Sequence, residues 1–321
     1  MRIGACILTL SLPVAPAICQ TPPPEPLAAY SSGSSVVLVS KTGKVVSTVR
    51  LPVRVGEFTF SPDLKEIVVI SRHPHDESGG KMYLYSLESK QTQRIPAHAL
   101  EPGATRSEVY SEPQFSADGT KLFFNTHPQA DGDLGETLGP IAEFDLEPSH
   151  ARTLEWTIGL ITDGFLLSPS GREFLLWDEG KVTNANGATV FDVHDFELEA
   201  PFKWAFDIAW IGNSCVLYRA GKQTNPYIKD EVSFFVLDLK SLKSASAFKT
   251  IGLSDKDLDG LVCYRYPYAI VKRPADIAGD HRPEYFLVSP GGMRTKLTSG
   301  DATAFEILLN RLMDDVPSGC K

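Results

Sequence analysis

Short apolar runs separated by turn-forming residues recur along most of this chain, and three of them share one pattern. In each copy an apolar run ends in Ser, and the Ser is followed by Pro or Ala and then by a polar residue. A second apolar run begins a few residues later. The copies lie at residues 58–70, 113–124 and 164–177. Ser61, Ser116 and Ser168 are in register, at separations of 55 and 52 residues. A repeat of this length built from short strands predicts an all-β fold, a β-propeller.

The other apolar runs predict four-stranded blades around the same ring. Period-two alternation, as in residues 82–87, is typical of a packed strand. We count six blades, with five or seven as alternatives, and expect the first strand to begin at residue 36, in a partial blade. Residues 302–313 predict a strand that completes this blade or a short amphipathic helix. We favour the strand, because closing the ring removes exposed sheet edges.

The two ends of the chain predict segments outside the propeller. One early Arg, an apolar stretch and small residues near position 17 give the layout of a secretory signal peptide. Pro and Ser residues after it predict an extended linker. We therefore divide the chain into a signal peptide (1–19), a linker (20–35), one propeller domain (36–313) and a C-terminal tail (314–321). The protein is expected in the periplasm or outside the cell, without a transmembrane segment. Ile18 before Cys19 argues against a lipid anchor.

Charge and cysteine content narrow the partners and the stabilising bonds. The net charge of −9 argues against nucleic acid, because phosphate binding needs a basic face. Beyond the predicted signal, Cys215, Cys263 and Cys320 are too few for a disulfide framework. Cys215 and Cys263 lie in apolar runs and predict two buried thiols, or one bridge between neighbouring blades. Cys320 would then be left unpaired near the C-terminus.

The repeat itself resembles that of the TolB-like propellers, which is also found in the propeller domains of prolyl oligopeptidase-type peptidases. Residues 113–119 read PQFSADG and are followed by the third strand IAEFD at 141–145. Residues 60–63 carry the same turn, but Leu64 stands where the pattern has Gly. Residues 167–171 carry it with Ser170 in the place of Asp. The resemblance implies the fold and little about function, because the repeated residues form turns. The peptidases carry a separate hydrolase domain, but the sequence has no G-x-S-x-G nucleophile elbow, and peptidase activity is not expected.

Long connections between the second and third strands of the blades predict a binding face. We expect them at residues 73–80, 127–139, 178–188, 220–231 and 274–283. Two of them, in neighbouring blades, contain His73, His75, His127, Asp131 and Asp133, and imidazole with carboxylate suits zinc, manganese or iron. The alternative is that these are ordinary polar loop residues beside prolines that shape turns.

A second acidic segment resembles half of a calcium-binding loop. Asp255, Asp257 and Asp259 alternate and are followed by Gly260, as in the first half of an EF-hand loop. The twelfth position is Tyr266 instead of Glu, so the closing bidentate ligand is missing. The alternative is a solvated turn between two blades.

Three functions are compatible with these features. The first is a non-enzymatic scaffold that binds a protein or peptide partner on the face with the long connections, and no cofactor is expected for it. The second is a metal-assisted carbohydrate lyase or hydrolase that uses the histidine site on the same face. The third is a structural propeller stabilised by calcium.

Overall fold

The chain folds into six four-stranded antiparallel sheets arranged as the blades of a β-propeller, as the sequence predicted. The computed structural model describes residues 25–71, 80–95, 109–127, 141–147, 150–154, 157, 165–176, 181–184, 186–192, 204–221, 232–241, 243–246, 253, 260–265, 267–273, 282–308 and 320. The predicted signal peptide lies outside these residues. No helix within them is long and apolar enough to cross a membrane.

In every blade the four strands follow one another from the centre of the ring outwards. Blade 1 contains β24 (Ala302–Ile307), β1 (Pro26–Ser32), β2 (Ser35–Ser40) and β3 (Val45–Arg50). Blade 2 contains β4 (Val55–Phe60), β5 (Glu66–Ser71), β6 (Met82–Ser86) and β7 (Thr92–Arg94). Blade 3 contains β8 (Val109–Phe115), β9 (Lys121–His127), β10 (Ile141–Asp145) and β11 (His150–Thr153). Blade 4 contains β12 (Phe165–Leu167), β13 (Glu173–Leu176), β14 (Lys181–Asn184) and β15 (Thr189–Asp192). Blade 5 contains β16 (Trp204–Ile211), β17 (Cys215–Gly221), β18 (Val232–Asp238) and β19 (Lys243–Ser246). Blade 6 contains β20 (Leu261–Arg265), β21 (Tyr268–Arg273), β22 (Glu284–Val288) and β23 (Arg294–Ser299).

Blade 1 closes the ring by combining both ends of the chain. β24 pairs antiparallel with β1, with Ala28 opposite Ile307 and Tyr30 opposite Phe305. The prediction of a closing strand is confirmed, and the helix alternative is wrong. The expectation that strands begin at residue 36 is also wrong, because β1 lies within the segment that we assigned to a linker. Its buried residues include small ones such as Ala29 and Ser31, which give a weak hydrophobic pattern.

Blades 4 and 5 correct two further strand predictions. The third strand of blade 4 is β14, which lies inside the segment 178–188 that we expected to be a long connection. Of the four residues of β14 only Val182 is apolar, so no hydrophobic run marks the strand. In blade 5 the fourth strand is β19, whose sequence KSAS also contains no apolar run. Both strands were missed because they are polar.

The hydrophobic core lies between blades and repeats around the ring. Leu122 and Phe124 of β9 pack with residues of blade 2, whereas Phe123 between them packs against Phe165 and Phe174 of blade 4. Consecutive side chains of a strand point to opposite faces, and both faces of β9 are covered. This explains why the second strands read as continuous apolar runs instead of alternating ones.

The repeated serine organises the tight turn that joins the first and second strands. Ser61 Oγ donates to Asp63 Oδ1 at 2.8 Å and accepts the N–H of Glu66 at 2.9 Å. Ser116 does the same with Asp118 at 2.6 Å and Lys121 at 2.9 Å. The hydroxyl of each serine lowers the pKa of its aspartate, because the bond stabilises the carboxylate. The register seen in the sequence therefore reflects one hydrogen-bonded turn.

Glycine in this turn also makes room for the preceding blade. Gly119 has φ of 72°, and a Cβ there would lie 3.2 Å from Cδ of Pro62 in blade 2. Leu64 occupies the equivalent place in blade 2 with φ of 57°. Blade 1 has no turn between its first two strands, because β24 and β1 come from opposite ends of the chain. Leu64 instead packs with Leu308 and its neighbours, where that turn would otherwise lie.

A disulfide bond attaches the C-terminus to blade 5. Cys215 and Cys320 are bonded, with a Cα–Cα distance of 5.1 Å, and Cys263 is free. The Cys320 carbonyl accepts the N–H of Asn213 at 2.9 Å, and Cys320 packs among buried residues of blades 5 and 6 such as Leu217. The expectations of a bridge or two free thiols at Cys215 and Cys263 are wrong, as is that of an unpaired Cys320. The partners are 105 residues apart, a pairing that local patterns do not reveal.

Candidate functional site in the central channel

The first strands of the six blades surround a channel that forms a cavity of about 470 Å³. The walls come from β4, β8, β12, β16, β20 and β24. They extend into the tight turns, where Ser61, Ser116 and Ser168 also line the cavity. In an antiparallel blade these turns lie on the opposite face from the connections between second and third strands. The cavity therefore reaches the face of the tight turns, and its volume is in the range of small-ligand pockets.

Side chains from neighbouring blades complete the hydrogen bonding of the inner strands. An innermost strand pairs with one neighbour only, so its channel edge presents backbone groups that need partners. Gln114 of β8 makes two hydrogen bonds to the backbone of β12. Its Nε2 donates to the Phe165 carbonyl at 2.7 Å, and its Oε1 accepts the N–H of Leu167 at 2.8 Å. The Trp210 indole of β16 donates to the Leu166 carbonyl at 3.1 Å. These bonds couple blades 3, 4 and 5.

Two carboxylates in the channel connect blades 2, 3 and 4 in the same way. Glu57 Oε2 of β4 accepts the N–H of Glu112 at 2.6 Å. Glu112 Oε2 of β8 in turn accepts the N–H of Phe165 at 3.1 Å and Nδ2 of Asn125 at 3.2 Å. Burial raises the pKa of Glu57, because the carboxylate loses hydration, and the bond from Glu112 opposes this shift. Both carboxylates thus have a role in holding the ring together.

A third carboxylate, that of Glu306, bridges the seam where the ring closes. Thr59 Oγ1 of β4 donates to its Oε1 at 3.0 Å, and the N–H of Phe60 donates to its Oε2 at 3.1 Å. Glu306 is partly buried in the channel wall, and burial raises its pKa to about 7. The positive charge of Arg265 and the two donors of blade 2 oppose that rise. Glu306 therefore changes protonation near neutral pH at the junction between blades 1 and 2.

Arg265 and Cys263 lie on β20, on the other side of the closing strand. Arg265 Nη1 donates to the Ile307 carbonyl of β24 at 3.0 Å, and both Arg265 and Cys263 line the cavity. Burial raises the pKa of the Cys263 thiol to about 11, so the thiol is neutral at physiological pH. A neutral thiol is a weak nucleophile, whereas the guanidinium keeps its charge. Arg265 is thus the cationic group that this wall presents to a ligand.

The structure leaves the two metal hypotheses untested. His73, His75, Asp131, Asp133 and the three aspartates of the calcium-like segment (Asp255, Asp257, Asp259) lie outside the described residues. His127 is the last residue of β9, and β5 of the adjacent blade ends at Ser71, at the same face of the ring. Within the described part of the chain, no three His, Cys, Asp or Glu residues form a group that could hold a metal ion.

The channel residues were not predicted from the sequence, although the repeat contained a signal for two of them. Glu57 and Glu112 each precede the repeated serine by four residues, so an acidic residue recurs at one position of the pattern. Gln114, Arg265 and Glu306 have no such counterpart in the other copies. Their role depends on which inner strands become neighbours, and this is a property of the closed ring.

Comparison with known proteins shows the fold alone. No family model and no curated protein sequence matches this chain. Among solved structures, an oligogalacturonate lyase in complex with manganese is similar over 83% of this chain and 71% of its own, with 11% identity and a TM-score of 0.53. The oligogalacturonate lyase of Vibrio parahaemolyticus is similar over 85% and 79%, with 10% identity and a TM-score of 0.51. A protein of unknown function from Bacteroides caccae is similar over 88% and 98%, with 12% identity and a TM-score of 0.48. The chain thus has the six-bladed propeller fold, and its resemblance to the TolB-like family stays a prediction.

Proposed function

We propose that this protein is a non-enzymatic scaffold that binds a protein or peptide partner on the face of the long connections. The unequal length of the connections is the main support. In blades 2, 3, 5 and 6 the second and third strands are joined by residues 72–81, 128–140, 222–231 and 274–283, whereas the turns on the opposite face span five residues or fewer. Variable length on one face of a regular scaffold is typical of binding surfaces.

The short connections are also placed in a way that suits a binding face. They belong to blades 1 and 4, at residues 33–34 and 177–180. These blades lie opposite each other in a ring of six, so the four long connections form two pairs, in blades 2 and 3 and in blades 5 and 6. The channel side chains give further support, because Glu57, Glu112 and Glu306 are engaged in bonds that hold the ring together.

The predicted cellular location of the protein agrees with this role. A signal peptide at residues 1–19 would export the chain to the periplasm or the cell exterior. A disulfide such as Cys215–Cys320 persists in oxidising compartments and is rare in the cytosol. We propose that the scaffold acts in such a compartment.

Site-specific photo-crosslinking tests which face binds the partner. Arg273 ends β21 at the face of the long connections, and Lys65 lies in a tight turn at the opposite face; their side chains are 61% and 70% exposed. We expect a photo-reactive residue at position 273, but not at position 65, to crosslink a defined partner in extracts of the native compartment. The proposal is wrong if position 65 captures the same partner equally well, or if neither position captures any.

A metal-assisted carbohydrate lyase or hydrolase is the second candidate. It is favoured by the position of β5 and β9, which end at the same face of adjacent blades and lead into the segments with His73, His75, Asp131 and Asp133. Elemental analysis of untagged protein tests it, with manganese and oligogalacturonate as the first metal and substrate to try. Stoichiometric metal that is lost in His75→Ala, but kept in the exposed control His150→Ala, would support the enzyme. Calcium with a lower melting temperature after chelation would instead support the site at Asp255, Asp257 and Asp259.

A further inference from the structure

Arg265 makes one hydrogen bond within the described residues and lines the channel. It is the last residue of β20, and β21 begins at Tyr268, so it lies towards the tight-turn end of the channel. A guanidinium carries five N–H donors. One of them bonds to the Ile307 carbonyl at 3.0 Å, and among the described residues no acceptor is found for the others. Arg265 is partly buried and lines the cavity, so its remaining donors can reach a ligand there.

The carboxylates of the lining favour a cation, whereas its hydrogen bonding favours an anion, and the hydrogen bonding decides. Three carboxylates, those of Glu57, Glu112 and Glu306, outnumber Arg265 in the lining and would favour a cation. Each of them, however, already accepts a backbone N–H from the next blade. Burial raises the pKa of Glu57 and of Glu306, which favours their neutral forms and weakens the repulsion of an anion. The guanidinium of Arg265 makes one bond within the described residues, and its planar fork fits a carboxylate with two parallel bonds.

The shape and the walls of the cavity indicate what carries this carboxylate. Inner strands enclose the channel on its sides, so a ligand enters along the axis and with one end first. The residues that line it include the apolar Phe58, Leu166, Trp210 and Phe305. A volume of about 470 Å³ accommodates a few amino-acid residues. The end of a peptide chain combines a carboxylate with the apolar side chain of its last residue.

We propose that Arg265 binds the C-terminal carboxylate of a peptide that enters the channel from the face of the tight turns, with an apolar last side chain against the aromatic walls. Capture of a chain terminus by oriented donors is a known mode of peptide recognition. This second site goes beyond the scaffold function proposed above and is independent of it, because it lies at the opposite end of the ring.

Binding of matched peptides tests the proposal on the unmodified protein. The probes are acetylated tripeptides that end in Leu, Val or Phe, each prepared as the free acid and as the C-terminal amide, and binding is measured by calorimetry and ligand-observed NMR. We expect the acids to bind about ten- to a hundredfold more tightly than the amides, because the amide loses the charge-assisted bonds. Equal binding of acid and amide, or no binding of any acid, overturns the proposal.

Variants and a saccharide probe identify the group that recognises the acid. Arg265→Gln should remove the preference for the acid, and Arg265→Lys should keep part of it. Arg294→Gln changes an exposed arginine of the outer strand β23 and should leave the preference intact. If Arg265→Gln fails to fold, the acid–amide comparison on the unmodified protein still decides. If oligogalacturonate binds through Arg265 while every peptide acid fails, the peptide assignment is wrong. A partner that crosslinks only at position 273 would leave the scaffold function standing even then.

Discussion

Removing the Cys215–Cys320 disulfide should destabilise the closure of the ring. The bond makes a covalent loop with a sequence separation of 105 residues, which includes all of blade 6 and the closing strand β24. When β24 detaches from β1 in the oxidised protein, its C-terminal side stays tied to blade 5, so it rebinds within the same molecule at a high effective concentration. Without the bond, the main chain still joins β24 to blade 6 through residues 300–301, but its C-terminal side has no covalent tie to blade 5.

Loop entropy sets the expected magnitude. Cross-linking a loop of about 100 residues lowers the entropy of the unfolded chain by an amount worth about 4.7 kcal/mol at 25 °C. A chain of 321 residues has an unfolding entropy on the order of 0.7 kcal/mol/K near its melting temperature. Cys320→Ser should therefore lower the melting temperature by about 7 °C. The buried surroundings of Cys320, which is 7% exposed, add a smaller cost for placing a hydroxyl there.

Thermal unfolding with and without a reductant checks this prediction. Reductant should lower the melting temperature of the unmodified protein to nearly that of Cys320→Ser and should leave the variant unchanged, which controls for effects of the reductant itself. Hydrogen exchange should show that the amides of β24 lose more protection than those of β9, because β24 lies inside the covalent loop and β9 does not. The reasoning is refuted if Cys320→Ser melts together with the oxidised unmodified protein.

Three further predictions concern the seam, the turns and the channel. The pKa of Glu306 rises from its ordinary value of 4.5 to about 7, so its contribution to stability is present below about pH 4.5 and is lost as the pH rises through 7. The melting temperature should therefore fall as the pH rises from 5 to 8, and Glu306→Gln should remove this dependence. The exposed control Glu88→Gln should keep it. Gly43→Ala should lower the melting temperature more than Gly291→Ala. Both residues have a similar positive φ, 74° and 83°, but a Cβ at 43 would lie 2.6 Å from Cγ2 of Thr295, whereas one at 291 meets no atom within 4 Å. Equal losses of melting temperature would contradict this. Gln114→Ala should cost about 2–4 kcal/mol in denaturant unfolding, since it leaves two backbone groups of β12 without partners, while Gln93→Ala on the exposed strand β7 should cost under about 0.5 kcal/mol.

The extent to which the sequence predicted the fold follows from how strongly each strand is buried. β5, β9 and β13 are buried on both faces, and their apolar runs were visible without a structure. β14 and β19 are short and mostly polar, and β1 contains small residues, so their places depend on pairing with a neighbour. Strand pairing at long sequence separation leaves little trace in local periodicity.

The candidate site was less accessible to sequence reasoning than the fold. The histidines and aspartates of the loops were predicted as metal ligands because their side chains commonly bind metals, and the structure does not test this prediction. Glu306, Arg265 and Gln114 occupy ordinary positions in strands and gain their roles only when two inner strands lie side by side.

The sequence by itself determined the propeller repeat and its tight turns, and it favoured the closing strand and the six blades that the structure confirmed. Each depends on local hydrogen bonds or on apolar patterns that recur within about 55 residues. Only the tertiary structure decided the Cys215–Cys320 pairing, the bridge from Glu306 to blade 2 and the place of Arg265 in the channel wall. The physical reason is closure, because joining the ends of the ring brings together groups that are 42 to 247 residues apart along the chain.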